Sequence, residues 1–403
     1  MSGAGRQMTE PSNVPVKEKL LLVFKTAAVW NEHIIRKFSL AYDVEYLFAD
    51  EIFRQGGSVG LVKAIERHLV GNDISIAAFD IDFYRIFDYG LLSRLSYHAS
   101  VIIAVSFDDL VLHRQNLVTA GACDIVLLAD PIAVLKYRER GYQAEYLALE
   151  ASKTVYYDRE LPRDIDVLHF GVEGKADRRI YLDYLARHGV HVQRFGQDTT
   201  YLLIEKLPEY ISRAKVVVNF SKTDLLDRLH LGETYINDVF LQMKGRVIEA
   251  SLSHTPCVSE YSPVIDLLFP AGGIPVFSTP EECLSIIRHL LADGGERQRL
   301  ADLAHAQVLA YEDAAQMEKI KAAVDRIKAG RRRPAVRVGP SYLATVAAAK
   351  LDVLKKRPGL LLKEAASLYA TYKLRCRPAL TLAILAASVI RVYAARFCRI
   401  RAS

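Results

Sequence analysis

The stretch "AEYLALEASKTVYYDRELPRDIDVLHFG", residues 144–171, decides the architecture. It opens on a short apolar run, breaks into a hydrophilic segment at 150–166 and resumes as a second apolar run. Upstream lie "LLLVF" (20–24), "ISIAAF" (74–79), "SVIIAVSF" (100–107) and "DIVLLA" (124–129). Downstream lie "VHVQRFG" (190–196), "KVVVNFS" (215–221), "TPCVSE" (255–260) and "GIPVF" (273–277). Apolar runs without alternation are the pattern of strands covered on both faces, so each series predicts a parallel sheet with helices on either side. The predicted class is α/β, with two domains meeting near residue 155. The expected divisions are a disordered polar leader (1–18), a first domain (19–155), a second domain (156–330) and a basic tail (331–403). The cleft between the domains is the expected binding site, because open α/β sheets take ligands at the carboxyl ends of their strands.

Charge is distributed unevenly. Residues 331–403 hold sixteen Lys and Arg against Asp352 and Glu364, a net +14, which leaves the preceding 330 residues at −8 of the chain's +6. Three amphipathic helices are predicted in the tail, about 341–356, 360–376 and 379–400, punctuated by Pro358 and Pro378. The run "PALTLAILAASVI" (378–390) is shorter than the roughly 20 apolar residues that a spanning helix needs. A tail of this kind predicts docking on an anionic membrane surface. Its cations alternate with Leu, Ala and Ile rather than with stacking aromatics, so nucleic acid is not expected. The leader has no apolar run of the secretory kind. Cys123, Cys257, Cys283, Cys376 and Cys398 are odd in number and form no CxxC pair, which argues for a reducing cytoplasm and against structural metal.

After the first strand stands "FKTAAVWNE" (24–32) in place of a glycine-rich fingerprint, which excludes the usual dinucleotide and P-loop enzymes. The charge-bearing stretch is "MKGRVIEASLSHTPCVSEYSP" (243–263). A helix starting here carries Lys244 and Arg246 at its N-terminus, where free N–H groups and the dipole favour an anion such as a diphosphate. Glu249, one turn on, is placed for ribose hydroxyls, while His254 and Glu260 mark the turn and the strand end. Arg178 and Arg179, with Lys175, supply cations after Gly171, and Asn219 and Ser221 end a strand at the cleft. In the first domain, Asp108 and Asp109 end a strand where a hydroxyl nucleophile could be activated or oriented; Asp109 is equally placed to cap the following helix. Asp80 and Asp82 end a neighbouring strand. Trp30 and Asn31 sit in the first loop, Trp30 as core or as a sugar platform.

"GRVIEASLSHTPCVSE" (245–260) resembles the donor-binding segment of the group 1 glycosyltransferases, and "DVLHFGVEGKADRRIYLDYLARHGVHVQRFG" (166–196) resembles the opening of their donor domain. The likeness runs from about residue 100 to 315 and is nearest to the bacterial spore-maturation-like branch. It implies the GT-B fold, two facing Rossmann-like domains, with a nucleotide-diphosphate sugar as donor and no obligatory metal. It also suggests retained configuration; the likeness does not cover the basic tail, and the tail adds the expectation of a glycan or lipid-linked acceptor at the inner face of a bacterial membrane. Catalytic roles then fall to Asp108, Asp109, Arg246 and Glu249. Two positions depart from the family: Leu241 stands where a second glutamate is usual, and His254 where the turn has glycine. An epimerase or a non-catalytic sugar-binding protein are the alternatives.

Overall fold

The computed structural model describes residues 17–174, 178–196, 198–222, 241–330 and 333–400. The first sheet is wholly parallel, ordered β2-β1-β3-β4-β5-β6. Its strands are β1 (Lys19–Phe24), β2 (Asp43–Phe48), β3 (Ile76–Asp80), β4 (Val101–Ser106), β5 (Ile125–Leu128) and β6 (Ala144–Tyr146). The second, also parallel, is ordered β11-β10-β9-β7-β8, with β7 (Ile165–Phe170), β8 (Val192–Phe195), β9 (Ala214–Asn219), β10 (Cys257–Glu260) and β11 (Val276–Phe277). Each order reverses between the first and third strand of its domain, which places a crevice beyond the ends of β1 and β3 and another beyond β7 and β9. The apolar runs read from the sequence are strands, buried along most of their length at β1, β3, β4, β5, β7, β9 and β10 and only partly covered at β6, β8 and β11. The exception is β2, which the sequence reading passed over: "DVEYLF" mixes acids with apolar residues because it is a half-covered edge strand.

Helices α1 (Val29–Ser39) and α12 (Asp313–Ala329) cover one face of the first sheet, where Phe38, Ile320 and Val324 join a single core with Leu20 and Ile103. The other face carries α2 (Ala49–Gly71), α3 (Tyr89–Leu95), α4 (Asp109–Ala120) and α5 (Pro131–Glu139). The expected boundary at 330 therefore falls elsewhere: the chain leaves the second domain near Tyr311 and α12 returns to the first. The crossing is fastened by Asp313 N–H to Ala151 O (3.0 Å), by Ala148 N–H to Gln316 Oε1 (2.7 Å) and by the buried Lys37–Asp313 pair (2.9 Å).

Residues 340–400 form α13 (Pro340–Val353), α14 (Pro358–Tyr372) and α15 (Pro378–Ile400). One side of this bundle is the back wall of the first domain: Tyr342, Leu343, Val346, Leu361 and Tyr372 are buried with Phe53, Phe87 and Leu92. Polar groups fix the join. Helix α2 breaks at Gly57, whose φ of 61° suits a residue without Cβ, and Glu364 of α14 caps the resumed helix through Ser58 N–H (2.8 Å) and Ser58 Oγ (2.5 Å). Lys350 is wholly buried between Asp88 (3.0 Å) and Glu364 (3.8 Å), and Arg333 grips Asp124 with two bonds of 2.8 Å. No helix among the described residues is long and apolar enough to cross a membrane.

Candidate active site

In the second domain, α8 (Gly245–Leu252) follows Lys244 and runs away from the ends of β7 and β9. Val247, Ile248, Ala250 and Leu252 bury its inner face, while the N-cap residue Lys244 makes no side-chain cap bond, which leaves N–H groups at its start for an anion. Arg246 turns from this start towards the sheet. Its Nε bonds Phe170 O, its Nη1 bonds Asn219 Oδ1 (3.0 Å) and its guanidinium lies 5.6 Å from the Phe170 ring. Gly171, at φ 120°, leaves room for that guanidinium; a Cβ there would collide with Nη2. Burial, then the nearby Arg178 charge, lower the Arg246 pKa to about 9, so it stays cationic at neutral pH in a place that rewards a bound anion.

Glu249 folds back to the same turn, its Oε1 3.0 Å from where a side chain on Gly245 would begin, and its buried Oε2 has no hydrogen-bond partner among the described residues. Burial, then the charge of Glu150, push Glu249 up to about 8 against the pull of Arg246. A neutral Glu249 leaves the positive charge of Arg246 unquenched and offers an O–H or a carbonyl oxygen to a ligand hydroxyl.

The other predicted donor residues divide. Arg178 is buried and closes the loop after β7 through Val172 O (2.7 Å) and Lys222 O (3.4 Å); Arg179 is exposed on α6 (Arg178–Arg187). Lys175 lies outside the described residues. Asn219 is held between Arg246 and Ser259 Oγ (2.8 Å). Glu260 accepts from Ser221 N–H and Lys222 N–H, both at 2.9 Å, and Ser221 Oγ returns a bond to Glu260 O (2.8 Å). Asn219, Ser221 and Glu260 therefore shape the strand ends from within. Lys244 bonds Gln242 Oε1 (2.6 Å), and Gln242 Nε2 reaches across to Phe107 O of the first domain (3.2 Å).

His254 belongs to the other end of α8. Its ring lies 3.6 Å from that of His305 on α11 (Gly294–Val308) and its φ is 50°. That left-handed backbone is the physical reason a glycine suits the turn, and it lies at the opposite end of α8 from the crevice beyond β7 and β9. Leu241 pairs with Lys222 in an isolated bridge and its carbonyl accepts from Ser262 Oγ (2.8 Å).

The first-domain crevice is acidic. Asp82 accepts four bonds, from Ser106 Oγ (2.6 Å), Phe107 N–H (2.7 Å), Asn116 Nδ2 (2.8 Å) and Asp108 N–H (2.9 Å). Burial, then the charge of Asp108, raise it to about 6. Asp80 accepts from Asp82 N–H (3.1 Å), and burial followed by the Asp82 charge raise it well above the usual carboxylate range. Asp108 stands at the cleft side of α4. Asp109 turns inward, accepting from Tyr137 Oη (2.7 Å) and pairing with His113 (2.8 Å); it braces α4 against α5 and is not part of the crevice surface.

Sequence reasoning missed the hinge cluster. Glu150, at the end of the first domain, pairs with His33 and with Arg36 (2.9 Å) of α1, and its charge is felt by Glu249 across the cleft. A lone Glu in a hydrophilic linker gives no periodic signal by which to find it.

With this geometry in place, the likeness to known proteins becomes interpretable. Residues 173–320 match the family model described as Glycosyl transferase-like. No curated protein matches the chain in sequence. In structure the chain is similar to sucrose-phosphate synthase from Thermosynechococcus elongatus (TM-score 0.52, 12% identity, 78% of this chain and 100% of that one). It is likewise similar to HepE of Anabaena in complex with UDP and glucose (TM-score 0.53, 11% identity, 77% and 100%). These identities speak for the fold, which is GT-B: two Rossmann-like domains with parallel sheets, extended by the C-terminal helices.

Proposed function

We propose that the chain is a glycosyltransferase that takes a nucleotide-diphosphate sugar in the second-domain crevice and passes the sugar to a hydroxyl held by the first domain. The observation that carries this reading is Arg246 at the uncapped start of α8, fixed at the β7/β9 switch point within a glycosyl transferase-like segment. Transfer requires the leaving diphosphate to be stabilised as its charge develops, and a half-buried guanidinium beside a helix N-terminus supplies that without a proton transfer. Glu249 is assigned to ribose or sugar hydroxyls. Lys244 and Arg178 add positive potential, and Asp108 and the Asp80–Asp82 pair belong to the acceptor side. Retention of configuration, independence of metal and membership of the spore-maturation-like branch remain part of the proposal.

The proposed site of action is the inner membrane face, with a glycan or lipid-linked acceptor. Leu374, 89% exposed between Lys373 and Arg375 at the α14–α15 turn, and the outward Leu380, Leu382 and Ile390 support this. So does the near absence of acid on the outer surface of the bundle, where Asp352 is exposed and Glu364 buried. Flotation of the full chain with anionic liposomes tests the membrane part; equal flotation by Lys373→Glu/Arg377→Glu would refute it. Release of nucleoside diphosphate from UDP-, GDP-, ADP- and dTDP-sugars, in the presence of glycoside acceptors, tests the chemistry. One donor turned over by the wild type and spared by Arg246→Ala is the expected outcome; turnover unchanged in Arg246→Ala refutes the assignment.

A further inference from the structure

A pocket opens beyond the ends of β1, β3 and β4, lined by Phe24, Asn31, Ile34, Asp80, Val105 and Phe107. Next to it the edge strand β2 shows an unusual surface. In the β1–β2 register Tyr46 stands opposite Leu22 and Phe48 opposite Phe24, so both rings lie on the same face of the sheet as the pocket wall. Tyr46 is 51% exposed and Phe48 37%. The alternate residues serve the opposite face, where Glu45 pairs with His68 of α2 (2.7 Å) and Leu47 packs into the core. Helix α1 thus leaves the end of β2 uncovered. The rings form a row leading into the pocket, tilted against one another: Tyr46 to Phe48 is 5.6 Å between centroids at 56°, and Phe48 to the buried Phe24 is 6.3 Å at 35°.

The chemistry of this surface selects its occupant. Three carboxyl groups, Asp80, Asp82 and Asp108, crowd the strand ends, and each raises the pKa of a neighbour or is itself raised, so a phosphate or a second nucleotide is opposed. An alkyl chain would fit the rings and leave Asp80 facing hydrocarbon, a desolvation without compensation. A neutral ring with an apolar C–H face and a hydroxyl edge satisfies both, because aromatic faces take the former and a carboxyl oxygen the latter. Among the described residues one oxygen of Asp80 is engaged, by Asp82 N–H.

We infer that the Tyr46–Phe48–Phe24 shelf and the pocket ending at Asp80 form a carbohydrate subsite, which holds the acceptor as a sugar ring stacked on the shelf with a hydroxyl at Asp80. This rests on the transfer reading, and it makes the acceptor's reacting unit a saccharide. Tyr46 and Phe48 are surface residues of an edge strand, so their replacement leaves the core intact.

Saturation-transfer NMR on the full chain tests it, using methyl glycosides of glucose, galactose, N-acetylglucosamine and rhamnose, together with hexyl glucoside. Saturation reaching the ring C–H protons of at least one methyl glycoside, and reduced about fivefold or more in Tyr46→Ala/Phe48→Ala, supports the subsite; Asp80→Asn weakens the same signal. Absence of ring saturation for every glycoside, equal saturation in the double variant, or saturation confined to the hexyl protons overturns it. Nucleotide-sugar binding by calorimetry is followed on the same samples. Retained donor binding without glycoside saturation sinks the subsite alone, whereas glycoside saturation without donor binding sinks the transfer reading.

Discussion

The two crevices of this molecule share one topology and have opposite chemistry. Beyond β7 and β9 a helix start, the buried Arg178 and the half-buried Arg246 concentrate positive potential, and Glu249, the carboxyl group beside Arg246, is pushed towards neutrality. Beyond β1 and β3 three carboxyl groups meet beside aromatic rings, and the organising residue, Asp82, spends its lone pairs on shaping the β4–α4 loop. The sheet order places a crevice in each domain; the side chains at the strand ends make one of them basic and the other acidic and aromatic. The domains also differ in what supports them. The second is complete within about 150 residues, while the first borrows α12 to α15 from the far end of the chain.

That last difference gives the largest expected effect. Lys350→Ala leaves Asp88 and Glu364 buried without their cation and should cost about 3–5 kcal/mol, read as a lowered Tm of the full chain. Truncation after residue 330 should yield an insoluble product, because Tyr342, Leu343 and Tyr372 no longer cover Phe53 and Phe87. A soluble, cooperatively melting 1–330 fragment would break the comparison of the two supports.

Arg246→Ala sharpens the contrast between the crevices. Losing a charged partner should weaken nucleotide-sugar binding by about 10- to 150-fold, measured by calorimetry, with the first-domain glycoside signal unchanged. Asp82→Asn should do the reverse, because its backbone bonds hold the loop of the acidic crevice.

The pH dependence follows from Glu249. Its pKa is raised on folding, so its contribution to stability is complete below the usual carboxylate range and is lost as pH rises through about 8. Ionisation also sets a negative charge beside Arg246. Donor affinity should therefore fall about tenfold between pH 7 and 9; Glu249→Gln should flatten the stability profile and move the fall in affinity up towards the Arg246 pKa of about 9. An affinity that rises with pH would refute the placement.

The smallest effect concerns the turn. His254→Gly relieves a left-handed backbone of roughly 1 kcal/mol and gives up the contact with His305, so Tm should rise slightly. Donor affinity should stay within about twofold, since the imidazole lies at the far end of α8.

The strands covered on both faces, such as "SVIIAVSF", were legible as apolar runs because burial removes any polar face. The edge strand β2 was not, since Asp43 and Glu45 interrupt it, and with it went Tyr46 and Phe48, whose period-two spacing was the available signal. Arg246 and Glu249 were legible from their place at a helix start. Sequence could not tell that Asp109 turns inward to Tyr137, or that Glu260 serves Ser221 and Lys222, because both depend on which neighbour fills the space behind a strand end. The tail was read as amphipathic helices; what covers their apolar side is a long-range matter, and here it is the first domain.

The most direct measurement is a calorimetric titration of the full-length chain with UDP-, GDP-, ADP- and dTDP-sugars, repeated with Arg246→Ala and Asp82→Asn. The account predicts saturable binding of one nucleotide class, abolished or greatly weakened by Arg246→Ala and kept by Asp82→Asn. A well-folded chain that binds none of them, or binds them equally with and without Arg246, would contradict it.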